Sequence, residues 1–157
     1  MVDELGLKVE PDASEINQYI VVSLGNENYG VDIRYIDNIV RMQSITRVPK
    51  SSVYYRGVIN LRGEVIAVMS ARIKMGLPED EITGKSRIII LKFESNESIG
   101  MLVDEVKQVV TISSENIEKV AHEKNGSQSF ISGVGKVDGG LISLLDLSTI
   151  IDERREE

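Results

Sequence analysis

The chain of 157 residues has no cysteine, no tryptophan, one histidine, three prolines and two phenylalanines. Without cysteine it can form no disulfide, thiolate nucleophile or Cys-ligated metal site. The single histidine, His122, stands between Ala121 and Glu123 in a stretch rich in Lys, Asn and Gly. With no nucleophile elbow to serve, it reads as a loop residue rather than a general base. No apolar run approaches the roughly 20 residues that span a bilayer. The opening Met1-Val2-Asp3-Glu4 lacks the basic region of a secretory leader, so the chain is expected in the cytoplasm. Basic charge is also scarce: 18 Lys and Arg face 25 Asp and Glu, a formal net charge of −7. Such a balance repels polyanions and leaves only a local basic patch as a route to nucleic acid, which is not expected as a partner.

What is present is ordinary for a folded domain, with 41% hydrophobic and 27% charged residues. A chain of this length can bury about 68–70% of its unfolded surface, enough for one domain or two small lobes sharing a core. Residues 1–15 are polar and lack an apolar period, which predicts a loose tail. Tyr19 to Leu24 and Tyr29 to Ile33 are strand-like runs around the turn residues Gly25 to Asn28. Ile33, Ile36, Ile39 and Val40 then recur at helical spacing after Asp32, which predicts a short helix or helical turn. A second one-turn helix is predicted after Pro49, capped by Ser51 or Ser52 and ended by Gly57.

Val58 to Leu61 and Glu64 to Met69 flank Arg62-Gly63, a tight turn in which Gly63 takes positive φ. Ser70 to Gly76 reads as another short helix. Strands follow at Arg87 to Phe93, Ser98 to Val103, Val106 to Ile112, Phe130 to Val137 and Leu141 to Leu145. Asp146 caps a final helix on Leu147, Ile150 and Ile151, leading into the charged tail 152–157. Many short strands with single-turn helices fit one or two small antiparallel barrels, because closure removes exposed edges.

Chemical motifs are weak. Gly84-Lys85-Ser86 resembles the end of a phosphate-binding loop, but Glu79 stands where the first glycine belongs and a strand follows where a helix is needed. Gly133-Val134-Gly135 does not complete a dinucleotide fingerprint. Glu79-Asp80-Glu81 lacks the alternating ligands and central glycine of a calcium loop. No cofactor or metal is expected. From the residues alone, the functional reading stays open between a protein-binding module and a small β-barrel that binds a ligand or acts as an enzyme. Arg62 is either a solvated hairpin tip or a recognition cation.

The run Arg56-Gly57-Val58-Ile59-Asn60-Leu61-Arg62-Gly63 resembles the Arg/Lys-Gly-x-x-Asn-Leu-Arg-Gly signature of the CheW family of chemotaxis coupling proteins. Tyr19 to Asp32 also resembles that family, as do Gly100-Met101-Leu102-Val103-Asp104-Glu105-Val106 and Ile131-Ser132-Gly133-Val134-Gly135, so that the resemblance covers about residues 18–151. It implies a mainly β fold of two intertwined five-stranded SH3-like barrels with short helices and a C-terminal helix, over residues 16–151. It implies a non-catalytic adaptor, recruited to receptor arrays, that joins the cytoplasmic tip of a chemoreceptor to the regulatory domain of the histidine kinase CheA. Matched by position, Ile36, Asn38 and Arg62 face the receptor, and Gly57 with its neighbours Tyr55 and Val58 faces the kinase. Gly133 and Gly135 either shape one of these surfaces or serve backbone geometry alone. Relatives often carry Glu at the Asn38 position, so the ion pair they can form with Arg62 is lost here unless Asp37 supplies it.

Overall fold

The computed structural model describes residues 15–79, 81–120 and 130–151. The chain opens with a hairpin of β1 (Ile16–Leu24) and β2 (Glu27–Asp32), then makes a 3-10 turn over Ile33–Tyr35. Five strands follow: β3 (Ile36–Arg41), β4 (Tyr55–Leu61), β5 (Glu64–Ser70), β6 (Arg87–Lys92) and β7 (Ser98–Val103), with the one-turn helix α1 (Ala71–Lys74) after β5. The chain then returns to its first hairpin through β8 (Glu105–Ser113), β9 (Ile117–Lys119), β10 (Ile131–Val137) and β11 (Gly140–Leu145), and ends in α2 (Leu147–Ile151). Strand order is β8-β1-β2-β11-β10-β9 in one sheet and β3-β6-β7-β5-β4 in the other. The lobes are intertwined because the first sheet takes strands from both ends of the described chain and the second takes the middle.

The mainly β, two-lobed architecture agrees with the sequence reading, and one lobe has a sixth strand. That strand, β9, is three residues long and pairs with Gly133, Val134 and Gly135 of β10. Of two predicted helices, the first forms only as the 3-10 turn Ile33–Tyr35, capped by Asp32 as expected, and the second does not form. Ile36–Arg41 is a strand because it finds a partner ladder on β6, from Ile36 opposite Leu91 to Arg41 opposite Arg87. The segment after Pro49 is turn and strand: the Tyr54 carbonyl accepts from Ser70 N at 2.7 Å, and Tyr55 pairs opposite Met69. Both short helices are capped, the one after Asp146 as predicted. The Ser70 hydroxyl accepts from Ile73 N at 3.1 Å, and Asp146 accepts from Thr149 N at 3.4 Å. His122 and the tails 1–14 and 152–157 lie outside the described residues.

Strand alternation divides the apolar residues among three cores. On β6, Ile88 and Ile90 point into the five-stranded lobe with Ile59, Ile66, Val68 and Leu102. Their neighbours Ile89 and Leu91 point the other way, against Val22, Leu24 and Val31 of the opposite sheet, with Met69, Met101 and Ile150 beside them. Val21, Ile112, Ile142 and Leu144 fill the six-stranded lobe. A strand buried on both faces needs a continuous apolar run, which is why Ile88-Ile89-Ile90-Leu91 shows no period of two.

The crossover from β7 to β8 is bracketed by charge. Asp104 accepts from Arg72 Nε at 2.9 and 3.2 Å and from Nη2 at 2.9 Å. The same carboxylate accepts from Gly25 N, at 2.8 Å, in the β1–β2 turn. One side chain therefore ties α1 of the five-stranded lobe to the first hairpin of the other. Among the described residues, no helix is long and apolar enough to cross a membrane.

Candidate functional site

Where the lobes meet, the turn after β2 builds one wall of a cleft. The Asp32 carboxylate accepts from Arg34 N at 2.9 Å and from the Arg34 guanidinium at 2.7–3.2 Å. The hydrogen bonds to Asp32 and its charge raise the Arg34 pKa further, so this cation does not titrate. Arg34 lies 5.8 Å from the centre of the Tyr35 ring, and that ring meets Phe93 at 5.9 Å between centroids. With Tyr19, Leu145 and Asp146 they line a hollow of about 240 Å³. Burial, with a smaller contribution from Asp32, raises the pKa of the Tyr19 hydroxyl. Both carboxylates here are engaged, Asp32 by Arg34 and Asp146 by the Ser148 hydroxyl at 2.7 Å and the α2 backbone.

Ile36 follows this turn directly and is half-buried against the interlobe core. Asn38 sits at a β-bulge in β3, where its Oδ1 accepts from Ile39 N at 2.8 Å. Arg62 occupies the β4–β5 hairpin tip, exposed, with φ of 55° followed by Gly63 at 85°. Positive φ at both central residues makes a type I′ turn, whose twist matches the flanking strands. Asn60 Oδ1 supports it by accepting from Gly63 N at 3.1 Å. The positive φ at Gly63 is as predicted; that at Arg62 was not visible in the sequence. Among the described residues, Arg62 forms no ion pair with Asp37 or any other carboxylate.

Tyr55, Gly57 and Val58 lie together on β4. Thr46 and Val58 exchange two backbone hydrogen bonds of 2.8 Å, joining the chain beyond β3 to the opposite edge strand and closing the five-stranded sheet. Gly57 is buried at this closure with φ of 142°; a Cβ there would overlap the Thr46 carbonyl oxygen and stand 2.8 Å from Ile45 Cγ2. Gly133 and Gly135 are also buried, the first against the Glu118 backbone and the second against Ile112. All six partner-facing candidates thus belong to the five-stranded lobe, and the last two glycines to the other.

The CheW-like domain family matches residues 18–155. The chain belongs to the CheW-like family. Its CheW relatives include the chemotaxis protein CheW of Bacillus subtilis strain 168, 33% identical over 140 residues, which cover 88% of each chain. The chemotaxis protein CheW of Thermotoga maritima is 32% identical over 148 residues, 94% of this chain and 95% of the relative. The crystal structure of scaffolding protein TtCheW from Thermoanaerobacter tengcongensis has the same CheW fold, with a TM-score of 0.78 and 30% identity over 85% of this chain and 91% of that one.

The pieces that sequence reasoning missed are the Asp32–Arg34 pair and the Tyr35–Phe93 wall. The first carried a local signal, since a capping Asp followed two residues later by Arg can close on itself. The second carried none, because Tyr35 and Phe93 come from segments far apart in the chain.

Proposed function

We propose that the protein is a non-catalytic chemotaxis adaptor that joins the cytoplasmic tip of a chemoreceptor to the regulatory domain of a CheA-type histidine kinase. The observation that carries this reading is Arg62, an exposed cation without a partner among the described residues, held in a backbone conformation that a side chain of its kind adopts only at a cost. Strain of this sort persists where a surface is used. Arg62 offers a forked donor to a receptor carboxylate or carbonyl, and Ile36 and Asn38 complete the receptor side. Tyr55 and Val58, positioned by the close backbone packing at Gly57, form the kinase side. Gly133 and Gly135 keep β10 tight against its neighbours and so hold the shape of the six-stranded lobe. Residues 16–151 act as one unit, in the cytoplasm, gathered into arrays through these contacts.

Support comes from membership of the CheW-like family, whose relatives here are chemotaxis proteins and one a scaffolding protein. Titrating the labelled protein with a CheA-type regulatory domain is expected to shift the amide signals of residues 55–58. No shift at a partner concentration of hundreds of micromolar would remove the adaptor reading.

A further inference from the structure

The β4–β5 ladder slips by one residue at Arg56, with Tyr55 opposite Met69 and Gly57 opposite Val68. Arg56 is the extra residue of that bulge, and a bulge re-aims the side chain it carries. Its guanidinium reaches the loop after α1, where Nη1 donates to Glu79 Oε2 at 2.9 Å. With side chains 22% and 68% exposed, this pair adds little to stability. What it fixes is the direction of a cation that stands between Tyr55 and Gly57.

The loop is itself held by Arg72. Gly76, at φ of 82°, turns the chain out of α1, and Leu77 N donates back to the Arg72 carbonyl at 2.8 Å. Arg72 Nη1 donates to the carbonyls of Pro78 and Glu79 at 3.0 and 3.2 Å, while Nε and Nη2 of the same guanidinium hold Asp104. Asp104 in turn accepts from Gly25 N, and Leu77 Cδ1 lies 3.9 Å from where a Cβ would stand at Gly25. A planar guanidinium presents its donors in a rigid fork, so Arg72 sets the loop and the β7–β8 crossover at one mutual angle. A lysine ammonium is a point charge on a flexible stem and has no such fork.

We propose that Arg72 is a positioning residue for the kinase-facing strand: by holding the Glu79 backbone against Asp104 it places the Glu79 carboxylate, and through it the Arg56 side chain beside Tyr55 and Gly57. The setting of that strand is thereby tied, through Gly25, to the first hairpin of the six-stranded lobe. This role rests on the kinase-facing reading of Tyr55, Gly57 and Val58 given above. Adjacent contacts do not by themselves transmit anything; energetic coupling between the two ends does, and a double-mutant cycle measures it.

The cycle is run by calorimetric titration of the full chain with a CheA-type regulatory domain, using wild type, Arg72→Lys, Glu79→Gln and the double variant. Glu79 is exposed, so Glu79→Gln is expected to keep the wild-type circular dichroism and Tm. Each single variant is expected to weaken binding about three- to fivefold, and the double variant by no more than about fivefold, because both substitutions break the same chain of contacts. Arg72→Lys is also expected to shift the amide signals of Arg56 and Gly57 in the free protein, a change that a loss of stability alone does not cause. If Arg72→Lys fails to fold, Asp104→Asn takes its place in the cycle. Wild-type binding by Glu79→Gln, or single losses that multiply in the double variant, overturns the positioning role and leaves the adaptor reading standing; no wild-type binding overturns both.

Discussion

At Gly57 the backbone of β4 passes so close to Thr46 that only a hydrogen fits on the α-carbon. The positive φ adds strain for any side chain. Gly57→Ala is expected to destabilise the fold by about 2–4 kcal/mol in urea titration, and wild-type stability would show that the closing strand can retreat. Arg62 makes the opposite prediction. Asn is favoured over Arg at the first central position of a type I′ turn, so Arg62→Asn is expected to stabilise the protein by about 0.5–1 kcal/mol. The same variant is expected to weaken receptor coupling in a reconstituted array, as is Arg62→Glu with folding intact. Normal coupling in both would take Arg62 out of the receptor surface.

Between elements, the Arg72–Asp104–Gly25 bracket fixes how α1, the β7–β8 crossover and the first hairpin sit together. Both side chains are largely shielded, at 16% and 23% exposure, which keeps the pair stronger than a surface ion pair but leaves it partly screened. Asp104→Ala is expected to cost about 2–3 kcal/mol, since it removes the counter-charge of Arg72, which keeps its bonds to the Pro78 and Glu79 carbonyls, and strands an amide of the β1–β2 turn. Asp104→Asn retains an acceptor for Gly25 N and is expected to lose less. Equal losses for the two variants would show that charge, not the amide contact, holds the crossover.

Across the whole molecule, the core between the lobes is formed by the outer faces of strands whose inner faces fill each lobe. Neither lobe can come apart without exposing Ile89, Leu91, Met69 and Met101 or their counterparts Val22, Leu24 and Val31. One cooperative unfolding transition is therefore expected, with tyrosine fluorescence and circular dichroism coincident. A fragment of residues 33–103, which contains every strand of the five-stranded lobe, is expected to aggregate or to migrate as an expanded species on gel filtration. A compact monomeric fragment would show that the lobes are separate folding units.

Much of this was legible along the chain because it is decided within a few residues. The β1–β2 and β4–β5 hairpins, the caps at Ser70 and Asp146 and the motifs shared with the CheW-like family depend on local turn chemistry and composition. Ile36–Arg41 was misread as a continuation of the helical turn because a strand half-buried on both faces also places isoleucines at helical spacing, and only the ladder with β6 decides between them. The three-residue β9 has too few apolar positions to register at all. The residues by themselves determined a mainly β chain with a cation at a hairpin tip and nothing suited to thiolate or histidine-dyad chemistry. Only the tertiary structure decided that Thr46 closes a barrel on Val58, that Asp104 joins two lobes and that Arg41 stands opposite Arg87. Those contacts link positions distant in sequence, and their partners are selected by backbone pairing and shared burial rather than by any local preference.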